Sequence, residues 1–214
     1  MLGFELSTLL ARAITLLAGF TVHEFAHAWV AYQLGDTSQA SQGRLTLDPR
    51  AHIIPWMYLF AVITGFGMAK PVTWYPGLLR MDVRKGGMLI AVAGPISNVL
   101  MALLAGIPVR LGLLGLSSVS SNQFFPSPSY LLYIFILINL VMAVFNMIPV
   151  PPLDGYRVLL GLLPDSLALE YQRLEQWGMF ILMGLILLGS FGPFDVLGLM
   201  IGPPIRLLFH LAAG

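Results

Sequence analysis

Six apolar windows alternate with short polar stretches along the chain: Ser7 to Leu34, Ile53 to Met68, Gly86 to Leu116, Tyr130 to Val150, Trp177 to Phe191 and Val196 to Leu211. A helix needs about 20 apolar residues to cross the hydrocarbon layer, and the first, third and fourth windows meet that length. The second is short and holds Pro55, Gly65 and Gly67, which reads as a re-entrant or interfacial segment. The sixth is interrupted by Gly202-Pro203-Pro204. The pattern predicts an all-α integral membrane protein with about five spanning helices and one short re-entrant segment. In "SQGRLTLDPR" the residues Leu45 and Leu47 alternate with polar neighbours, and "KPVTWYP" after the second window is similar. Both predict a small β element at the membrane edge. The serine- and proline-rich stretch 117–129 reads as a loop. No internal repeat is visible.

Composition strengthens the membrane reading. The chain is 57% hydrophobic and 10% charged, against roughly a quarter charged for soluble domains. A net charge of +1 with no basic run gives no footing for a nucleic-acid partner, and no cysteine is present for a disulfide or a thiolate ligand. The first window lacks a basic leader and a small-residue cleavage site, so it reads as retained structure.

Charge placement sets an orientation. Arg44, Arg50, Lys70, Arg80, Arg84 and Lys85 lie between the first and third windows, whereas no lysine or arginine falls between Leu111 and Tyr156. The positive-inside rule then predicts that residues 35–85 are cytoplasmic and that the loop 117–129 is outside. Arg110, near the outer end of the third window, is the exception, and its long stem lets it snorkel to the interface.

Within the first window, "AGFTVHEFAHAWVAY" carries the only acidic, basic or imidazole side chains between Arg12 and Asp36: His23, Glu24 and His27. On a helix, His23 and His27 share one face and can grip a zinc ion, while Glu24 can act on a water beside it as general base. A satisfied interhelical histidine pair is the plain structural alternative. It loses weight here because ionisable groups at membrane depth are costly and usually functional.

A catalytic zinc takes three protein ligands, so one more is needed. Asp36 lies about 14 Å beyond His27 if the helix continues. Asp154, in "IPVPPLDGY", follows a proline-rich break just after a spanning segment, where non-helical backbone can line a cavity. A D-G turn is the plain reading of that pair. For Asp154 to join the histidines, the second window must make no net crossing, and the charge census requires the same. The resulting topology puts the N-terminus outside, 35–85 inside, 117–129 outside and Asp154 on the inner side. Asp195 is then expected near the outer face. Asn98, in "GPISN", falls at a depth comparable to His23, as a helix-to-helix hydrogen bonder or a substrate contact, and Gly94 permits close helix approach.

His23-Glu24-Phe25-Ala26-His27, Gly94-Pro95-Ile96-Ser97-Asn98 and Asn146-Met147-Ile148-Pro149-Val150-Pro151-Pro152-Leu153-Asp154-Gly155 occur in order on three apolar segments. Together they resemble the site-2 protease family of intramembrane zinc metalloproteases, over about residues 15–160. "GRLTLDPRAHIIP" and "KPVTWYPGLLR" are similar to compact prokaryotic members without PDZ or CBS domains. The resemblance implies one zinc ion per chain on His23, His27 and Asp154, with Glu24 as catalytic base. It implies that Asn98 and Asn146 hold substrate backbone or the oxyanion. The expected activity is cleavage of a transmembrane segment of single-pass membrane proteins, from a multi-pass position in the plasma membrane with the site open to the cytoplasm. The expected unit is a single protease domain over 1–214, with a catalytic core at about 7–163 and C-terminal helices at about 175–211. No PDZ or CBS filtering is expected in this chain. A protease that trims prenylated C-termini is disfavoured by the aspartate motif. A non-catalytic metal-binding protein or carrier is the alternative from another class. His52 and His210 read as interfacial or structural.

Overall fold

The computed structural model describes residues 5–65, 67–120, 124–191 and 195–214. Its helices are, in order, α1 (Leu6–Gln33), α2 (Ser38–Ser41), α3 (Pro55–Thr64), α4 (Val83–Arg110), α5 (Pro128–Asn146), α6 (Asp154–Leu162), α7 (Asp165–Gln172), α8 (Gly178–Phe191) and α9 (Val196–Ala213). Single 3-10 turns lie at Pro49–Ala51, Pro76–Leu78 and Glu175–Trp177.

Among the described residues, four helices are long and apolar enough to cross a membrane: α1, α4, α5 and α9. Local chemistry fixes their ends. Gly35, at a φ of 113°, terminates α1, and the Asp36 N–H returns to the Ala31 carbonyl at 3.0 Å. Asp82 caps α4 by accepting from the Lys85 N–H at 3.0 Å, and Ser127 caps α5 by accepting from Tyr130 at 3.3 Å. Pro128 occupies the first position of α5, where its missing N–H costs nothing.

The packing gives each helix a direction. The Thr8 and Tyr130 hydroxyls meet at 2.9 Å near the starts of α1 and α5, so these two helices run parallel. His27 on α1 reaches the Ile90 carbonyl and His23 reaches Asn98, so α4 runs against α1. Arg110, at the end of α4, donates to the carbonyls of Ala212 at 3.1 Å and His210 at 3.2 Å, and also to that of Leu211. The end of α9 therefore lies beside the end of α4, and the two run parallel. Ala102, Ile136, Leu140 and Ala212 form the buried core between α4, α5 and α9.

Three expectations are corrected here. The fifth window forms α8, whose 14 residues span about 21 Å, short of the roughly 30 Å hydrocarbon layer. The structure thus offers four candidate crossings where about five were expected. Asp195 does not share a side with Arg110 as expected, because it opens α9 at the opposite end, where its carboxylate caps the helix on the Gly198 N–H at 2.7 Å. Helix α9 also continues through Pro203 and Pro204 instead of breaking there.

The predicted β element is likewise not formed among the described residues. The segments around Leu45 and Lys70 do come together, with Lys70 N–H donating to the His52 carbonyl at 2.8 Å. Side chains then take the groups that a ladder would use. Arg44 donates to the carbonyls of Ala51, Lys70 and Pro71, and Gln39 donates to that of Thr73. The second window forms α3, ten residues and about 15 Å long, too short to cross. Residues 121–123 of the loop 117–129 lie outside the described residues.

Candidate metal centre

The centre is built where α1, α4 and the start of α6 meet. His23, Glu24 and His27 are buried on α1, at 5%, 7% and 6% exposure. Their helix can approach α4 because position 94 is glycine. A Cβ there would stand 2.6 Å from His23 Cε1 and would run into His27 Nε2. The close approach foreseen from Gly94 therefore serves the ligand nitrogens directly. Pro95 beside it has no N–H for the Ala91 carbonyl. One residue earlier than Ala91, the Ile90 carbonyl receives His27 Nδ1 at 2.7 Å.

Asp154 reaches the same point from the far end of the chain. After α5 ends at Asn146, residues 147–153 run through turns and bends, and Asp154 begins α6. Gly155 does not adopt a positive φ. It is needed for close packing, since a Cβ there would stand 2.6 Å from the Ile148 carbonyl oxygen and would strike that of Met147. That packing folds α6 back on the end of α5 and aims the aspartate at the histidines.

The three groups face one another at distances that suit a metal. His23 Nε2 is 3.1 Å from His27 Nε2, 3.2 Å separates His23 Nε2 from Asp154 Oδ2, and 3.4 Å separates His27 Nε2 from Asp154 Oδ1. Ligands at 2.0–2.1 Å on a tetrahedral zinc are about 3.3 Å apart. Among the described residues this is the only such His/Cys/Asp/Glu group.

Hydrogen bonding fixes the tautomers. The Ile90 carbonyl can only accept, so His27 carries its proton on Nδ1. For His23 the assignment runs through two amides. Asn139 Nδ2 donates to the Phe135 carbonyl at 2.8 Å, which leaves Asn139 Oδ1 to accept from Asn98 Nδ2 at 2.9 Å. Asn98 Oδ1 then accepts from His23 Nδ1 at 2.6 Å. With the rings neutral, both Nε2 atoms then present lone pairs, and the buried Asp154 Oδ2 sits 3.2 Å from that of His23. Lone pairs and a carboxylate converging on one point call for a cation. The donor set of two imidazoles and one carboxylate fits zinc, and leaves a fourth position.

Glu24 lines the same cavity of about 320 Å³, together with Asn146, Trp74 and Arg157. Its Oε2 accepts the Val72 N–H at 3.1 Å, and its Oε1 takes no hydrogen bond among the described residues. Asn146 lines the cavity but donates Nδ2 to the Met142 carbonyl of its own helix at 3.0 Å. Asn98 is fully buried behind His23, with both ends of its amide engaged. Of the two roles expected for it, the interhelical hydrogen bond is the one these contacts match. His52 is buried and holds the Thr46 carbonyl at 2.8 Å, and His210 is exposed, so neither joins the site.

Asn139 and Val72 were not singled out by the sequence patterns, and Arg44 was counted there only for its charge. Asn139 carried a usable signal, since an amide at the middle of an apolar helix must find a partner. Arg44 and Val72 carried none, because their contacts arise only when two loops meet.

The model of peptidase family M50 matches residues 111–189, which include Asn139, Asn146 and Asp154. The chain is 35% identical over 198 residues to "Putative zinc metalloprotease YwhC" of Bacillus subtilis (strain 168), covering 89% of this chain and 87% of that protein. It is 30% identical over 148 residues to "Putative zinc metalloprotease Rip2" of Mycobacterium tuberculosis (strain ATCC 25618 / H37Rv), covering 67% of this chain and about half, 53%, of that protein. It is 29% identical over 184 residues to the Rip2 protein of Mycolicibacterium smegmatis, covering 80% of this chain and 64% of that protein. No solved structure matches the chain.

Proposed function

The chain belongs to peptidase family M50, the site-2 protease family, and is a zinc metalloprotease; from that premise we propose that it cuts a transmembrane segment of single-pass membrane proteins inside the bilayer. The observation that carries this reading is the convergence of His23 Nε2, His27 Nε2 and the Asp154 carboxylate at 3.1–3.4 Å, with both histidines on a helix long and apolar enough to span a membrane. His23, His27 and Asp154 hold the zinc, one ion per chain, which when bound polarises the scissile carbonyl and lowers the pKa of water.

The chain's own residues do the rest. Glu24 takes the proton of the attacking water on its carboxylate and returns it to the leaving amine. Asn146, which lines the cavity, turns its amide toward the substrate carbonyl or backbone. Asn98, backed by Asn139, holds the His23 ring in the tautomer that leaves Nε2 free for metal. The apolar flanks of α1, α4 and α5 keep the surrounding lipid dry, so water enters only through the cavity.

The proposed topology has four crossings, by α1, α4, α5 and α9, in the plasma membrane. The N-terminus and the loop 117–129 are outside, and residues 35–85 and α6 are on the cytoplasmic side, where the cavity opens. Residues 1–214 act as one protease domain, with the catalytic core at about 7–163. The carrier alternative would need metal-binding groups along a path through both leaflets, and the single cluster among the described residues gives it no support. Incubating purified protein with single-pass membrane substrates, with and without a zinc chelator, tests the reading: chelator-sensitive cuts inside the hydrophobic segment are expected.

A further inference from the structure

We infer that Arg44 is a positioning residue for Glu24, acting through the peptide unit between Pro71 and Val72; the inference rests on Glu24 being the catalytic base. Arg44 is 5% exposed, and among the described residues no carboxylate pairs with it. A buried guanidinium has to be satisfied some other way. Its Nη1 donates to the carbonyls of Ala51 at 2.9 Å and Lys70 at 3.1 Å, and its Nη2 donates to that of Pro71 at 3.0 Å.

The last of these contacts matters most. The Pro71 carbonyl and the Val72 N–H belong to one trans peptide, so they point in opposite directions from one plane. Arg44 holds the carbonyl side. The Val72 N–H side holds Glu24 Oε2 at 3.1 Å. A fixed positive charge, a peptide dipole and the Glu24 carboxylate thus stand in line. The charge polarises the peptide and strengthens its N–H as a donor. The line sets the carboxylate rotamer and ties down Oε2, with Glu24 lining the cavity.

The rest of the segment is anchored so that this peptide cannot drift. Lys70 N–H donates to His52, Gln39 donates to the Thr73 carbonyl at 2.9 Å, and Tyr75 N–H donates to Asp36 at 2.9 Å. Trp74 lies under Arg157, 5.2 Å from its ring centre, and against Gly87 of α4. Only an arginine offers the planar fork that reaches two separate loops at once.

The test is a double-mutant cycle with Arg44→Gln and Val72→Pro, the second of which removes the N–H donor and also fixes the local φ. Turnover is measured per zinc-loaded molecule, beside wild type and Glu24→Gln. Each single change is expected to lower kcat by roughly 10–100-fold, as loss of an outer partner does, with KM within about twofold and zinc unchanged. The double variant is expected to be no slower than the slower single one, because both cut the same line. Arg44→Lys, which keeps the charge without the fork, is expected to fall between Arg44→Gln and wild type. Independently of turnover, amide exchange of Val72 in metal-free protein is expected to speed at least about tenfold in Arg44→Gln. If Arg44→Gln does not fold, Val72→Pro alone decides by its kcat. Wild-type cleavage lost in Glu24→Gln but unchanged in Val72→Pro, or kcat losses that multiply in the double variant, would overturn the inference and leave the protease reading intact. If wild type cuts nothing, that reading fails, and the exchange rate of Val72 still decides whether Arg44 holds the peptide.

Discussion

Asp154 Oδ2 lies 3.2 Å from His23 Nε2, although a span of two further transmembrane helices separates the two residues in the chain. In the neutral His23 ring the Nδ1 proton goes to Asn98, so Nε2 faces the carboxylate with a lone pair. Two such electron-pair donors suit a shared cation, and most of the account follows from that.

The amide relay behind His23 is open to mutation. Asn98→Leu and Asn139→Leu remove successive links, and both side chains are fully buried. Asn98→Leu should weaken zinc binding by about 10–100-fold, the usual cost of losing an outer partner. Asn139→Leu should do so less, since Asn98 keeps its 3.4 Å contact with the Gly19 carbonyl. Competition titration against a zinc chelator measures both. Wild-type affinity in Asn98→Leu would mean that the relay does not set the His23 tautomer.

Gly94→Ala should displace both imidazoles, since the added methyl meets His27 Nε2 and lies 2.6 Å from His23 Cε1. Zinc content and cleavage should fall together, while Gly184→Ala, whose Cβ meets nothing within 4 Å, should change neither. Full zinc occupancy in Gly94→Ala would contradict the placement of the metal between these rings.

Topology can be read with single cysteines, because the chain has none of its own. Substitutions at Ser41 and the exposed Leu78 should resist an impermeant thiol reagent added to intact cells, and one at Val119 should react. Gly214→Cys should react as well, since α9 ends beside Arg110 at the outer end of α4. Protection at Gly214 would indicate a fifth crossing by α8.

Asp36 links the acid behaviour of the protein to the segment over the cavity. Burial alone would raise its carboxyl, but hydrogen bonds from Ser38, the Tyr75 N–H and Gln39 hold it below the usual 3.8. A group depressed in the folded state stabilises above its unfolded pKa, and loses that contribution as pH falls through the folded one. Asp36→Asn should therefore lower the melting temperature at neutral pH, and the gap to wild type should narrow as pH falls below about 3.8. A gap that stays constant down to pH 2 would show that the carboxylate charge contributes nothing.

Much of this site is legible in the sequence, for identifiable reasons. His23 and His27 share a face because helical spacing is local, and Asp154 stands out because prolines mark where helix must stop at membrane depth. Asn98 is legible in depth but not in role, since its partner could be a substrate or a neighbouring ring until the packing is known. The β element failed because Arg44 and Gln39 side chains take the carbonyls that strands would pair. The direction of α9 was hidden too: it depends on Arg110 meeting the carbonyls of His210 and Ala212, a contact between distant residues that no window of hydropathy registers.

The most direct test of the account is a single comparison of wild type and Glu24→Gln, purified and incubated with single-pass membrane substrates, with zinc per chain measured on the same samples. Glu24 is buried beside the His23, His27 and Asp154 group but does not belong to it. The account predicts one zinc per chain in both proteins, chelator-sensitive cuts within the transmembrane segment by wild type, and none by Glu24→Gln. Cleavage by Glu24→Gln at the wild-type rate, or cleavage by wild type that survives removal of zinc, would contradict it.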